Sequence, residues 1–154
     1  MQLTYHTDFS LRLLLYLMAR SDGEVVSVGA IASAYGVSSN HLSKVAAELT
    51  RLGWLESIRG RGGGLKLLDA ARGLSVGDVV RATEHNMALV ECMGSANTCP
   101  ITPVCRLKGV LVEARDAFLE VLDSYPLEDM VQDQGELRRL LSIPPDDGDD
   151  GRCT

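Results

Sequence analysis

The sequence predicts a mainly α-helical protein with one small β-hairpin. Three observations support this fold class. Two short helical segments are separated by a Gly-containing turn near residue 36, two short apolar runs flank a glycine-rich tip at residues 59–64, and a long apolar stripe with helical spacing follows residue 105. The chain has 154 residues, enough for one compact core or for a small domain plus an oligomerising element.

The first predicted helix runs from Asp8 to Arg20. Its apolar residues recur at steps of three and four, which is typical of a largely buried helix. Either Asp8 or Thr7 is available as its N-cap, because short polar side chains can accept hydrogen bonds from the first free N–H groups.

A helix-turn-helix is predicted next. Ser27 can cap a short helix, Gly36 provides a tight break, and Ser38 can cap a second helix that runs to about Leu52. The N-terminus of such a second helix enters the DNA major groove, where hydroxyl, amide, imidazole and ammonium groups can bond phosphates and base edges. The candidate DNA-reading residues are Ser38, Ser39, Asn40, His41, Ser43 and Lys44. An ordinary capped surface helix is the alternative.

A β-hairpin follows, with strands expected at residues 54–58 and 65–68. Its tip, RGRGGG, contains Arg59, Arg61, Gly62 and Gly63. Glycine lets a backbone approach DNA closely, and the two arginines can lie along phosphates or enter a narrow minor groove. A flexible hairpin with solvated arginines is the alternative. The order helix, helix-turn-helix, hairpin predicts a winged helix-turn-helix DNA-binding domain over residues 1–73.

The charge distribution is compatible with that interpretation. The chain has a net charge of -6, which by itself argues against a phosphate-backbone partner. However, residues 1–72 contain 8 basic and 6 acidic residues, whereas residues 73–154 contain 7 basic and 15 acidic ones. The repelling charge therefore lies in the second half, so the net charge does not exclude double-stranded DNA as a partner of the first half.

No apolar run approaches the roughly 20 residues that a membrane helix needs, and the N-terminus lacks the pattern of a secretory signal. We therefore expect a cytoplasmic protein with no membrane partner. In that reducing compartment, clustered cysteines bind metals or do redox chemistry more often than they form disulfides. There is no nucleophile–base pair, and the glycine-rich tip lacks the Lys-Ser/Thr ending of a phosphate-binding loop, so we expect no enzymatic activity.

Residues 74–105 are predicted to form a linker helix and a loop with three cysteines, Cys92, Cys99 and Cys105. Six and then five residues separate them, so neither the close pairs of a zinc site nor a CxxC redox motif is present. Such spacing suits a loop wrapped around a larger inorganic group, in which each thiolate approaches a different iron atom. Three thiolates leave one iron in need of another ligand. Three unrelated thiols are the alternative.

The stripe after Cys105 predicts a long helix within a dimerisation region at residues 106–142. The stripe is wider than a monomer of this size needs, so we expect it to pack against a second subunit. Tyr125-Pro126 should end this helix, and a short helix is expected around Glu128 to Leu141. Residues 143–154 are predicted to be a disordered acidic tail that includes Cys153.

Taken together, these features resemble the Rrf-type family of bacterial winged-helix regulators that carry an iron–sulfur cluster. The resemblance covers roughly residues 1–141: the opening MQLTYHTDFSLRLLLYL, the segment VSSNHLSKVAAELTRLGWLESIRGRGGGLKL, and the three-cysteine loop followed by a long helix. It implies a homodimeric transcriptional repressor. Resemblance to the nitric-oxide-sensing branch of the family further implies that the signal is nitric oxide, that the sensor is a 4Fe-4S cluster, and that nitrosylation of the cluster releases double-stranded operator DNA.

Within the family, the chain resembles the NsrR branch more than the IscR branch. The IscR branch completes a 2Fe-2S site with a histidine three residues after the last cysteine, where this chain has Lys108, a poor ligand. The NsrR branch takes its remaining ligand from an aspartate of the other subunit, near the start of the first helix, and Asp8 stands at that position. Arg12, one turn later on the same face, could hold the Asp8 carboxylate. His85 is a weaker alternative ligand.

Three other functions remain open on the sequence. A regulator of the same fold could carry a 2Fe-2S cluster and respond to iron or redox status. An iron–sulfur carrier or electron-transfer protein would leave the hairpin and the second helix idle. The third alternative is a thiol switch without a cluster.

Overall fold

Helix α1, at Tyr5–Ala19, forms the centre of the fold in the computed structural model, which describes residues 2–20 and 23–144. It begins three residues before the expected Asp8, because the Thr4 hydroxyl accepts a hydrogen bond from the Thr7 N–H at 3.3 Å and so caps the helix. The expectation that Asp8 or Thr7 is the N-cap is therefore wrong. Both residues lie inside the first turns of α1.

The predicted helix-turn-helix is confirmed as α2 at Val28–Tyr35 and α3 at Ser39–Arg51. Ser27 caps α2 by accepting from the Ala30 N–H at 3.2 Å, and Gly36 ends it in a left-handed conformation. Ser38 occupies the N-cap position of α3 but its side chain makes no capping bond. The inner face of α3 buries the apolar residues Leu42, Val45, Ala46 and Leu49.

The predicted hairpin is confirmed as strands β1 at Leu55–Ile58 and β2 at Gly64–Leu67, paired antiparallel with Leu55 opposite Leu67. Val26 exchanges two backbone hydrogen bonds with Leu65, of 2.9 and 2.7 Å, on the other side of β2. This pairing anchors the hairpin to the segment that precedes α2.

The backbone conformation of the hairpin tip requires glycine at two of its positions. Gly62 has a φ of 78°, which favours glycine, and a Cβ at Gly63 would collide with the carbonyl oxygen of Ile58. These residues therefore have a structural reason to be glycine that is independent of any contact with DNA.

After the hairpin, the described residues form four α-helices, three 3-10 turns and the loop at residues 84–105. The four-residue helix α4, at Asp69–Arg72, is not among the predicted elements. The region expected to form one helix at residues 128–141 is divided, because Asp133 caps a new helix by accepting from the Glu136 N–H at 3.2 Å. The long helix lies where the stripe predicts it. After α4 the elements are α5 Val76–Thr83, 3-10 turns Glu91–Met93 and Thr102–Val104, α6 Arg106–Asp123, a 3-10 turn Leu127–Val131, and α7 Gln134–Leu140.

The hydrophobic core extends beyond residues 1–73. Leu127, Val131, Leu141 and Ile143 belong to the same buried cluster as the inner residues of α1 and α3. The expectation that Ile143 belongs to the disordered tail is wrong, because it is only 6% exposed. Pro144 is described and exposed, whereas residues 145–154 of the predicted tail, with Cys153, lie outside the described residues. The chain therefore leaves the core of residues 1–73 through α5 and α6 and returns to it.

Polar contacts hold this return segment in place. The Leu127 N–H donates to the Leu74 carbonyl oxygen at 2.8 Å, and the Arg138 guanidinium donates to the carbonyl oxygen of Ala19, at the end of α1, at 2.6 Å. Arg81 of α5 pairs with Asp123 at the end of α6, with 2.6 Å between Nη2 and Oδ2. The C-terminal end of α6 and the segment that follows it are thus tied to α1, α5 and Leu74. In the part of the chain that the structure describes, no helix is long and apolar enough to cross a membrane.

Leu127→Ala should lower the free energy of unfolding by about 2–5 kcal/mol, because Leu127 is fully buried and its truncation leaves a cavity in the shared core. Urea denaturation at one fixed protein concentration measures this. Leu140→Ala is the control, since Leu140 is 67% exposed and should change stability by no more than about 0.5 kcal/mol. Equal midpoints for the Leu127 variant and wild type would show that the return segment does not stabilise the core.

Candidate cluster-binding loop and nucleic-acid interface

The first turn of α3 presents its polar side chains to solvent. All six predicted reading residues are exposed, and together they form a polar surface opposite the buried face of the helix. The Ser43 hydroxyl donates to the Ser39 carbonyl oxygen at 2.8 Å, so its oxygen is left to accept bonds from outside. The exposed set is Ser38, Ser39, Asn40, His41, Ser43 and Lys44.

The hairpin tip is exposed as well. Arg59, Arg61 and Gly62 lie in solvent, whereas Gly63 is partly buried by the turn, in which its N–H donates to the Gly60 carbonyl oxygen at 3.0 Å. The two arginines carry the exposed positive charge of the tip. An exposed helix N-terminus followed by a basic hairpin is an arrangement that can engage a groove and the phosphates beside it.

The cysteine loop is held by polar residues that lie next to the cysteines. Glu91, the neighbour of Cys92, accepts hydrogen bonds from the N–H and the hydroxyl of Thr98, at 2.8 and 2.6 Å, and Thr98 is the neighbour of Cys99. These two bonds hold the pKa of the Glu91 carboxyl below its ordinary value. The stretch from Cys92 to Cys99 is thereby closed into a small ring.

A second set of bonds shapes the loop after Cys99. The Asn97 side-chain oxygen accepts from the Cys99 N–H at 3.0 Å. The Thr102 hydroxyl accepts from the Asn97 amide at 2.9 Å and donates to the Cys99 carbonyl oxygen at 2.8 Å. Cys99 is thus fixed between two turns, with its thiol not used in the bonding.

Cys105 is the N-cap residue of α6. The positive end of this 18-residue helix favours negative charge, which suits a site built from thiolates. Cys92, Cys99 and Cys105 are all free of disulfides and all partly exposed. Three reachable thiols therefore lie on one loop that other side chains hold in shape.

The three thiols are the donor type that an iron–sulfur cluster takes from a protein. Among residues 2–20 and 23–144, no three His, Cys, Asp or Glu side chains are grouped so as to hold one ion. In an iron–sulfur cluster each thiolate binds a different iron, so the thiolates surround the cluster instead of meeting at a single ion. Cys92, Cys99 and Cys105 supply three such thiolates, which leaves one ligand to come from elsewhere.

Asp8 lies on the partly exposed face of α1 and is paired with Arg12. Arg12 Nε donates to one carboxylate oxygen of Asp8 at 2.9 Å, and Nη2 lies 2.8 Å from the other. The guanidinium lies 6.0 Å from the ring centre of Phe9 and 5.9 Å from that of Tyr35. Burial raises the pKa of Tyr35 to about 12, and its neutral hydroxyl donates to the Arg12 carbonyl oxygen at 3.0 Å. Within one chain, Asp8 is thus directed at Arg12 and is not grouped with the three cysteines.

The start of the cysteine loop is fastened to the start of α1 through Glu84. Its carboxylate accepts from the Thr4 N–H at 3.0 Å and from the Thr7 hydroxyl at 2.7 Å. Partial burial works to raise the pKa of Glu84, but the bonds from Thr7 and Thr4 outweigh it and the pKa lies below its ordinary value. The buried Thr83 hydroxyl adds a bond to Thr7 at 3.1 Å. The neighbouring His85 has its ring centre 6.2 Å from that of His6.

Five residues that hold the loop are not predicted by the sequence: Glu84, Glu91, Asn97, Thr98 and Thr102. One local signal is available, because an asparagine two residues before a fixed N–H commonly forms an Asx turn, as Asn97 does before Cys99. The bonds of Glu91 to Thr98 and of Glu84 to Thr4 span seven and eighty residues, and no sequence pattern indicates them.

The helix-turn-helix and the hairpin together define a winged-helix regulator, and this one carries a loop with three free cysteines. Comparison with known families agrees. The chain belongs to the Rrf2 family, described as iron-dependent transcriptional regulators, whose match spans residues 3–133.

Relatives cover nearly the whole chain. It is 49% identical to the HTH-type transcriptional regulator NsrR of Halalkalibacterium halodurans over 146 residues, 94% of this chain and 100% of that protein. It is 46% identical to NsrR of Bacillus subtilis over 144 residues, 93% and 99% of the two chains. Among solved structures, T. potens IscR matches with a TM-score of 0.69 at 27% identity, and the match covers 90% of this chain and 91% of that one. CymR, the global cysteine regulator of B. subtilis, matches with a TM-score of 0.65 at 26% identity, and the match covers 84% of this chain and 95% of that one.

Thr98→Val should raise the pKa of Glu91 partway towards the ordinary carboxyl value of about 4.3, because one of its two donors is removed while the Thr98 N–H remains. In wild type the pKa of Glu91 is lowered in the folded protein. The two bonds therefore stabilise the loop fully at a pH above the ordinary pKa of a glutamate, and this stabilisation is lost as the pH falls through the lowered pKa. NMR titration of the Glu91 carboxyl measures both proteins.

Thr102→Val is the matched control, because the Thr102 hydroxyl lies in the same loop and bonds Asn97 and Cys99 instead of Glu91. It should leave the Glu91 titration unchanged. A Thr98 variant that titrates like wild type would show that the hydroxyl does not hold the loop.

Proposed function

We propose that this chain is a homodimeric transcriptional repressor that binds operator DNA and senses nitric oxide through a 4Fe-4S cluster. The observation that carries the proposal is the cysteine loop. Its shape is maintained by Glu91, Asn97, Thr98 and Thr102. Its three thiols stay free of disulfides. In this proposal Cys92, Cys99 and Cys105 bind three irons and Asp8 of the other subunit binds the fourth.

The DNA-binding part rests on the exposed first turn of α3 and on the arginines of the hairpin tip. The hydroxyl, amide and imidazole groups of α3 supply hydrogen bonds to base edges, while Arg59 and Arg61 supply charge for phosphates. The family assignment as transcriptional regulators supports the same interpretation.

The homodimer rests on the exposed face of α6. Leu107, Val110 and Val121 are 62%, 59% and 57% exposed, respectively, and the smaller Ala114 and Ala117 continue the row between them. The row advances in alternating steps of three and four residues, which is the spacing of the seam in a two-helix coiled coil. An apolar seam of this length is suited to a second copy of α6.

The proposed cluster would supply a carboxylate-ligated iron that is more open to a small diatomic molecule than an all-thiolate iron. The protein side of the mechanism lies in Asp8 and Arg12. Arg12 holds both carboxylate oxygens when the chain is alone, and it can keep one of them, in a fixed orientation, while the other faces the partner subunit. When the bond to the partner subunit is lost, Arg12 again binds both carboxylate oxygens of Asp8.

The packing of α1 transmits this change to the DNA-reading surface. Asp8 lies on the helix whose buried residues pack against α3, so a pull on Asp8 acts on the body that carries the reading helix. The two reading helices of a dimer must lie about one DNA turn, roughly 34 Å, apart to engage both half-sites. A modest rotation removes that match, which makes the dimer a two-state switch biased by one ligand bond.

Anaerobically purified protein should contain a 4Fe-4S cluster by native mass and visible absorption, and stoichiometric nitric oxide should weaken its operator binding by at least tenfold. The measurement is a DNA titration before and after nitric oxide, with the cluster absorption followed in parallel. Asp8→Ala should retain the three thiolates but respond differently to nitric oxide, because the bond to the other subunit is missing.

Persistent operator binding after the cluster absorption is lost would exclude nitric-oxide release as the mechanism. A native mass that corresponds to 2Fe-2S would instead favour an iron or redox regulator of the same fold. An Asp8→Ala protein with an unchanged spectrum, operator affinity and nitric-oxide response would exclude Asp8 as the fourth ligand.

Arg59→Ala and Arg61→Ala should each weaken binding to operator and unrelated DNA by similar factors, because phosphate contacts carry no sequence information. The slope of log K against log salt should become shallower by about 0.9 for each phosphate that the variant no longer neutralises. Arg139→Ala is the control, since Arg139 is an exposed arginine of α7 that pairs with Glu136. A slope unchanged in both hairpin variants would show that Arg59 and Arg61 do not contact phosphates.

A further inference from the structure

An apolar groove lies beside Asp8, at the N-terminal end of α1. Tyr5 is 75% exposed, and its ring centre lies 6.1 Å from that of Phe9. With Val45 of α3, these two rings line an open groove of about 280 Å³, which His6, His41 and Lys44 complete. Tyr5, Asp8 and Phe9 are three and four residues apart, so they share one face of α1.

A second apolar surface lies on the cysteine loop. Ile101 and Val104 are 58% and 81% exposed, and both lie between Cys99 and Cys105. Branched aliphatic side chains gain free energy when they leave water. The loop therefore presents two side chains suited to burial, and they lie within two residues of the proposed ligands.

We propose that Ile101 and Val104 of one subunit dock into the Tyr5–Phe9 groove of the other. This docking rests on the proposed function, in which Asp8 ligates the cluster held by the partner subunit. Tyr5 lies only about 4.5 Å along the helix axis from Asp8, at 1.5 Å per residue. Ile101 and Val104 lie no more than about 7 Å of chain from a cysteine. Ligation by Asp8 therefore brings the groove and the two aliphatic side chains together.

The size and lining of the groove favour this occupant. At about 280 Å³ it falls at or below the lower end of small-molecule pockets, which span about 300–1,000 Å³. Two aliphatic side chains are a closer match than a larger ligand. The rings of Tyr5 and Phe9 offer little to a phosphate backbone, which favours a protein occupant over DNA.

The docking gives the loop direct access to the reading helix. His41 and Lys44 line the groove and are also candidate DNA-reading residues. When Ile101 and Val104 occupy the groove, they restrict the side-chain positions open to His41 and Lys44. When the loop departs, that restriction is lifted, so the signal reaches α3 without passing through the core.

Photo-crosslinking tests the docking in the intact dimer. Tyr5→p-benzoylphenylalanine protein, purified anaerobically and irradiated, should form a covalent dimer whose crosslinked peptide contains Ile101–Val104. The reciprocal variant, with the photoreactive residue at Val104, should crosslink to residues 5–9 of the other chain. Adding Tyr5→Ala to that second variant should reduce its yield several-fold. Leu140→p-benzoylphenylalanine is the control, because Leu140 is 67% exposed on α7 and should not label the loop.

Crosslinks confined to one chain, to operator DNA or to other segments of the partner would overturn the docking. If such a result comes with an intact cluster spectrum and a normal nitric-oxide response, only the docking is wrong and the proposed function stands. If the predicted peptide is labelled in a dimer that holds no cluster, the docking stands and the cluster assignment is wrong.

Discussion

The burial of α1 is the constraint on which the rest of the structure depends. This one helix packs against α3, α5, β2, the 3-10 turn at residues 127–131, and α7. Its inner residues from Leu13 to Ala19 are almost fully excluded from solvent. Asp8, at the other end, remains partly exposed and paired with Arg12. The helix that packs against all of these elements therefore also carries Asp8, the residue proposed to bind the cluster of the other subunit.

In the cysteine loop, the groups that maintain the shape of the loop are different from the thiols that are available for chemistry. Carboxylate, amide and hydroxyl groups of Glu91, Asn97, Thr98 and Thr102 supply the hydrogen bonds, while the thiols take no part in them. A loop that relied on its sulfur atoms for shape would collapse whenever they reacted. Here the thiols can change partners while the surrounding turns persist. Cys105 also starts α6, so it joins this loop directly to the helix with the apolar seam.

Local features could be predicted from the sequence, and contacts over long distances could not. The pair α2 and α3, the hairpin and α6 follow from periodicity, caps and glycines, all within a few neighbouring residues. The predicted start of α1 is wrong, because Thr4 and Thr7 are both acceptable caps and only the folded geometry selects Thr4. The burial of Ile143 depends on α1, more than a hundred residues away. The assignment of Asp8 as a ligand comes from family resemblance, since neither periodicity nor a single chain brings it to the cysteines.

The shared core has a consequence for how such a protein can change over time. Residues 127–143 complete the interior around α1, so residues 1–73 cannot be cut from the chain without opening their own core. The loop between α5 and α6 is different, because none of residues 84–105 is buried. Substitutions and insertions in that loop can therefore accumulate while the shared interior stays intact.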